Sequence, residues 1–150
     1  MPEIEPITME LTLKASPERV YDAYTLKSEL ELWFAQQATI SAEAGGRWRY
    51  TWPGEMAAEG RILEAERPHH LVWSWEKSIQ GEHEVASQVV NTYTFEAVEG
   101  GTRMRLVESQ HDSRAMRDMS VGGIEQMLVT LRAFLEEGTV VDWDALSQPG

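Results

Sequence analysis

The chain of 150 residues contains no cysteine, which excludes disulfides, thiolate metal sites and cysteine nucleophiles. That absence fits a reducing compartment, and the expected location is the cytoplasm. Long apolar runs are also missing: none approaches the roughly 20 residues that a helix needs to span a bilayer. Residues 1–10 carry Pro2, Glu3 and Glu5 and lack both a basic stretch and an apolar core, so no secretory signal is expected. Positive charge is scarce, with 13 Lys and Arg against 25 Asp and Glu and a formal net charge of −12. Such a chain repels phosphate backbones and anionic lipid surfaces, so neither nucleic acid nor membrane is an expected partner. The acids are spread along the chain, as on a soluble, self-repelling surface.

What is present is a series of glycine and proline marks, each followed by an alternating run. Gly45-Gly46 precedes Arg47-Trp48-Arg49-Tyr50-Thr51-Trp52, and Gly60 precedes Arg61-Ile62-Leu63-Glu64. Arg67-Pro68-His69-His70 precedes Leu71-Val72-Trp73-Ser74-Trp75, and Gly100-Gly101 precedes Thr102-Arg103-Met104-Arg105-Leu106. Glycine and proline supply the backbone angles of tight turns, and alternation is the period of a strand with one buried face. Strands are predicted near residues 6–13, 37–43, 46–53, 58–66, 69–76, 87–96 and 102–110, with residues 77–86 a charged loop around Gly81. Ser16-Pro17-Glu18 opens a helix that places Val20, Ala23 and Tyr24 on one face, and Ser28 opens a second, short one carrying Leu30, Trp33 and Phe34. After Gln110 the period becomes helical: Ile124, Met127, Leu128, Leu131, Phe134 and Leu135 form a stripe over about 120–137, with Ser120 as cap and Gly138 as stop. The fold class that follows is α+β. A curved seven-stranded antiparallel sheet wraps a long C-terminal helix, with two short helices after the first strand.

Strand alternation also assigns faces. Trp48, Tyr50 and Trp52 share one, as do Leu71, Trp73 and Trp75; Val89, Asn91, Tyr93 and Phe95; and Met104, Leu106, Glu108 and Gln110. The aromatics fit ordinary core, and their convergence on one concave face also fits the wall of a cavity. Trp48, Tyr50, Trp73, Trp75, Asn91, Tyr93, Met104, Glu108, Met119 and Met127 are the candidate ligand-binding residues. Asn91 and Glu108 need partners on an apolar face. Glu108 is the one catalytic candidate, as a general acid or base; the alternative is a structural carboxylate holding a Trp or Tyr donor. The histidines form no metal pattern: His69-His70 point to opposite faces, and His83 and His111 read as surface residues beside acids. No metal and no cofactor are expected.

These units, with Ala15-Ser16-Pro17-Glu18-Arg19-Val20-Tyr21-Asp22-Ala23 and Leu32-Trp33-Phe34 between the first strand and Gly45-Gly46-Arg47-Trp48, resemble the SRPBCC superfamily of START-like, birch-pollen-allergen-like domains. Within it the chain is most similar to the bacterial branch related to the C-terminal domain of the activator of heat-shock-protein-90 ATPase. The resemblance covers about residues 7–137 and implies the helix-grip fold, with residues 1–150 as a single START-like domain and 139–150 as its tail. Lipid carriers, polyketide cyclases, antibiotic-sequestering proteins and co-chaperone domains share this fold, so it does not decide the role. Where family members often have Gly-Trp entering the last helix, this chain has Val121-Gly122-Gly123-Ile124, which implies a wider or more mobile pocket mouth. The expected function is binding of a small apolar or aromatic molecule in a cavity between sheet and helix, by a monomer or homodimer, without catalysis. The alternatives are a cyclase- or hydrolase-like enzyme in the same cavity and a stress-related, co-chaperone-like interaction domain.

Overall fold

The computed structural model describes residues 4–147; residues 1–3 and 148–150, including the end of the expected tail, lie outside the described residues. Seven strands form one sheet: β1 (Ile7–Leu13), β2 (Gln37–Ile40), β3 (Arg47–Trp52), β4 (Met56–Glu66), β5 (His70–Gln80), β6 (His83–Val98) and β7 (Gly101–Ser109). Their order is β1-β7-β6-β5-β4-β3-β2, and every pairing is antiparallel. Bulges at Glu59/Gly60, Ile62/Glu64 and Trp75/Lys77 bend the central strands into the curvature that a gripped helix requires.

Between β1 and β2 lie α1 (Pro17–Thr25) and α2 (Lys27–Trp33). The Ser16 side chain accepts the Arg19 N–H at 3.2 Å, and Pro17 and Glu18 fill the first turn, so α1 begins where its cap chemistry dictates. It buries Val20, Ala23 and Tyr24, while α2 buries Leu30 and Trp33, whose indole N–H donates to the Ala23 carbonyl at 2.8 Å.

The long helix α3 (Arg114–Glu137) buries Ile124, Leu131 and Phe134 and half-buries Met127, Leu128 and Leu135. It starts at Arg114 instead of near residue 120: Ser113, not Ser120, is the cap and accepts the Met116 N–H at 3.1 Å. Its first turns are mostly exposed and carry no apolar stripe, which is why hydrophobic period alone misses them. It ends at Gly138, whose φ of 72° is the left-handed conformation of a helix stop.

The segment 77–86 is a hairpin, not a loop. β5 continues to Gln80 and β6 begins at His83, with Lys77 opposite Ala86 and Gln80 opposite His83. The hairpin projects past the core and mixes polar with apolar residues on both faces, Lys77 and Glu84 with Ile79 on one and Ser78, Gln80 and His83 with Val85 on the other, which removes the alternation that marks a half-buried strand. After Gly138 the chain turns back across α2: the Val141 N–H donates to the Leu32 carbonyl at 2.8 Å, and α4 (Trp143–Ser147) follows.

Candidate functional site

The concave face of the sheet is an aromatic wall built by period-two alternation in β3, β5 and β6. Trp48 stacks on Tyr50 with centroids 4.7 Å apart, lies 5.2 Å from Trp73, and donates its indole N–H to the Ser74 carbonyl at 3.0 Å. Tyr24 of α1 closes against Tyr93 at 4.6 Å and against Trp33 at 5.2 Å. Trp48, Tyr50, Trp73, Tyr93 and Met104 are thus brought together as one closed core, each at most 2 % exposed. Burial raises the phenol pKa values of Tyr24, Tyr50 and Tyr93 above the usual 10.0, so these hydroxyls stay protonated. The Tyr50 hydroxyl and the Trp73 indole N–H are buried without a hydrogen-bond partner among the described residues. The Tyr93 hydroxyl rests 4.0 Å from the Met127 sulfur.

At the end of β3 and midway along β5 the wall opens. Trp52 and Trp75 are half-buried, and their rings lie nearly parallel, 13° apart with centroids separated by 6.3 Å. The Trp52 indole N–H donates to the Phe34 carbonyl at 2.6 Å and that of Trp75 to the Ser78 hydroxyl at 2.6 Å. Both donors are therefore spent, and what these side chains present outward is ring surface. Together with Pro53, Met56, Trp143 and Leu146 they line a groove of about 450 Å³. A second depression of about 200 Å³ shares Trp52, Met56 and Trp75 and continues along the hairpin past Ile79, His83 and Val85.

A separate polar cluster sits at the other side of the wall. Asn91 and Glu108 are register partners on β6 and β7, 4 % and 8 % exposed. The Glu108 carboxylate lies 2.8 Å from Nε2 of His111, and the Nδ1 of that ring is buried without a partner among the described residues. His111 is therefore not the surface residue that its acidic neighbour suggested. Gln110, exposed and with a φ of 65°, turns the chain so that the ring folds back onto Glu108. Met119 is 74 % exposed and stands apart from the other candidates, whereas Met127 reaches the wall through Tyr93. Among the described residues no three His, Asp or Glu side chains converge as a metal site, and no helix is long and apolar enough to cross a membrane.

Sequence reasoning placed Trp52 on the correct face but left it, Met56, Trp143 and His111 out of the candidate set. Trp52 was legible as the outermost member of the Trp48-Tyr50-Trp52 alternation, where a strand runs out of core. Val140, Val141 and Trp143 mark an apolar tail that is expected to pack through Trp143 onto its own domain or a partner subunit. No pattern places that ring beside Trp52 and Trp75, because its place depends on how the tail folds back.

Residues 14–136 match the family described as activator of Hsp90 ATPase homolog 1-like protein. The chain belongs to this family. Protein MLL2253 from Mesorhizobium loti superposes with a TM-score of 0.77 at 20% identity, over 89% of this chain and 98% of that one. DynU16, from the dynemicin biosynthetic locus, superposes with a TM-score of 0.79 at 15% identity over 92% of this chain, which spans only 49% of DynU16. The Aha1 dimer from Colwellia psychrerythraea gives a TM-score of 0.73 at 20% identity, over 87% of this chain and 96% of that one. At these identities the likeness is one of fold, the SRPBCC helix-grip fold. No curated protein matches the sequence. The family-matched segment stops at residue 136, so Trp143 and Leu146 lie beyond it.

Proposed function

We propose that the protein binds a small apolar or aromatic molecule without transforming it, at the open edge of its aromatic wall. The observation that carries this reading is the Trp52–Trp75 pair. Two large, nearly parallel rings with satisfied donors border a groove of a size suited to a small molecule. Fully burying an exposed aromatic side chain contributes on the order of 1.5–3 kcal/mol, so covering the exposed part of two or three half-buried rings contributes a few kcal/mol in all. The closed core behind them, with Trp48, Tyr50, Trp73 and Tyr93, holds the outer pair in place. A monomer or homodimer in the cytoplasm is the form in which we expect this to happen, the dimeric Aha1 relative supporting the latter.

One observation favours a second, enzymatic reading: Glu108 is a buried carboxylate oriented by His111, the arrangement of a proton-transfer pair. A titration of tryptophan fluorescence with 1-anilinonaphthalene-8-sulfonate and with neutral naphthalene probes separates the two, alongside native mass spectrometry for a co-purified molecule. Trp75→Ala is expected to weaken a neutral probe about tenfold or more, the loss of one covered ring. Glu108→Gln is expected to leave binding unchanged; retained binding with lost turnover of a co-purified compound would establish the enzymatic reading instead. Absence of any saturable quenching, with no co-purified ligand, would overturn the binding function.

A further inference from the structure

We infer that the C-terminal segment 139–147 completes the groove as a site for an organic cation, a quaternary or tertiary ammonium carried on an apolar body. This rests on the binding function proposed above and specifies its ligand. The segment lies outside the family-matched residues, yet it is docked by two hydrogen bonds. The Val141 N–H donates to the Leu32 carbonyl at 2.8 Å, and the Trp143 indole N–H donates to the Glu31 carbonyl at 2.7 Å. Trp143 thereby becomes the third indole of the groove, facing the space that Trp52 and Trp75 border.

All three indoles have spent their only donor on the protein itself, to Phe34, Ser78 and Glu31. Nothing in this trio is left to hydrogen-bond an anion or a carbonyl. What remains is the negative face of each ring, which attracts a cation and does so most strongly where water is displaced. Among the described residues no Lys or Arg lines either the groove or its extension along the hairpin. Lys77 on β5 and Arg49 on β3, the strands that carry Trp75 and Trp52, are held by glutamates, Lys77 by Glu59 at 3.5 Å and Glu84 at 4.0 Å, and Arg49 by Glu59 at 3.7 Å. Glu55 precedes Met56 at the rim and Asp142 precedes Trp143, within a chain of net charge −12. A chain of net charge −12 with acids next to two of the lining residues is complementary to a cation and repulsive to fatty acids or phosphates. A volume of about 450 Å³ exceeds that of a bare ammonium, so the apolar remainder of the ligand lies along Met56, Pro53 and Leu146.

Benzyltrimethylammonium and its neutral isostere neopentylbenzene differ in little but charge, and both can be titrated into the full chain by ligand-observed NMR. The cation is expected to bind about tenfold or more tightly than the isostere. Trp143→Leu, which keeps apolar bulk and removes the ring face, is expected to erase that preference while leaving the neutral probe within about twofold. Trp143→Phe, which keeps a ring face, should retain a preference for the cation, which separates loss of the face from detachment of the segment. Equal affinities for the two probes would overturn the cation assignment and leave the apolar binding function standing. Failure of both probes would remove both proposals. A preference unchanged in Trp143→Leu would overturn the role of the segment. Competition between probe binding and a concentration-dependent dimer in sedimentation velocity would make a second copy the occupant and overturn the assignment.

Discussion

A Cβ added at Gly60 would lie 1.8 Å from the Ser74 carbonyl oxygen and 2.8 Å from the Trp48 indole, whose N–H donates to that same carbonyl. Gly60→Ala therefore forces the backbone of β5 and the Trp48 ring to move. It is expected to destabilise the fold by about 1–3 kcal/mol, read as a lower denaturation midpoint in urea. The buried phenols make a second prediction. An acid whose pKa is raised by folding holds its proton more tightly in the folded state, so stability falls as pH rises past the unfolded value near 10. Tyr24, Tyr50 and Tyr93 should not contribute to the 295 nm absorbance near pH 10 while the fold persists, and should ionise together when alkaline unfolding occurs. A smooth titration at pH 10 with intact circular dichroism would contradict their burial. These residues were legible in the sequence because period-two alternation fixes which side of a strand is buried. His111 was not, since its contact with Glu108 depends on the left-handed backbone at Gln110, which alternation does not encode.

At the level of elements, α3 carries Gly122-Gly123 on its exposed side, where an added Cβ would meet nothing within 4 Å. Neither residue is needed for packing or for an unusual backbone angle, so the helix runs through them at the entropic cost that glycine imposes. Gly122→Ala and Gly123→Ala are each expected to stabilise the protein by about 0.5–1 kcal/mol, measurable as a higher melting temperature. A loss of stability would mean that the helix needs its flexibility there. Deleting residues 139–150 removes the contacts of Val141 with Leu32 and of Trp143 with Glu31 and should lower the melting temperature; an unchanged value would mean that this segment adds no net stability. The strands and α1 were legible because turn residues and the Ser16 cap lie at their ends. The start of α3 and the hairpin at 77–86 were not, because both run beyond the core and lose the hydrophobic period by which such elements are recognised.

The whole molecule is closed by pairings between distant parts of the chain. β1 pairs with β7 from Ile7 opposite Glu108 to Leu13 opposite Thr102, and Thr102 donates its hydroxyl to the Ala15 carbonyl at 2.7 Å. α3 then fastens onto the same N-terminal strand. The Arg132 guanidinium donates to the Thr12 carbonyl at 3.0 Å, and the Glu136 carboxylate accepts the Lys14 N–H at 3.0 Å. Ile7 and Leu13, at 2 % and 0 % exposure, lose their cover if either β7 or α3 leaves. Neither β1 nor α3 can therefore peel away without opening the core, and residues 7–137 are expected to unfold as one cooperative unit. Urea transitions followed by tryptophan fluorescence, which reports all six tryptophans, Trp33, Trp48 and Trp73 of the core among them, and by far-UV circular dichroism should superimpose. Because so many pairings join residues far apart in sequence, refolding is expected on the millisecond-to-second scale typical of sheet-rich domains. Two separated transitions would show instead that α3 or the N-terminal strand melts independently, and the β1–β7 closure would then not couple the two ends of the chain.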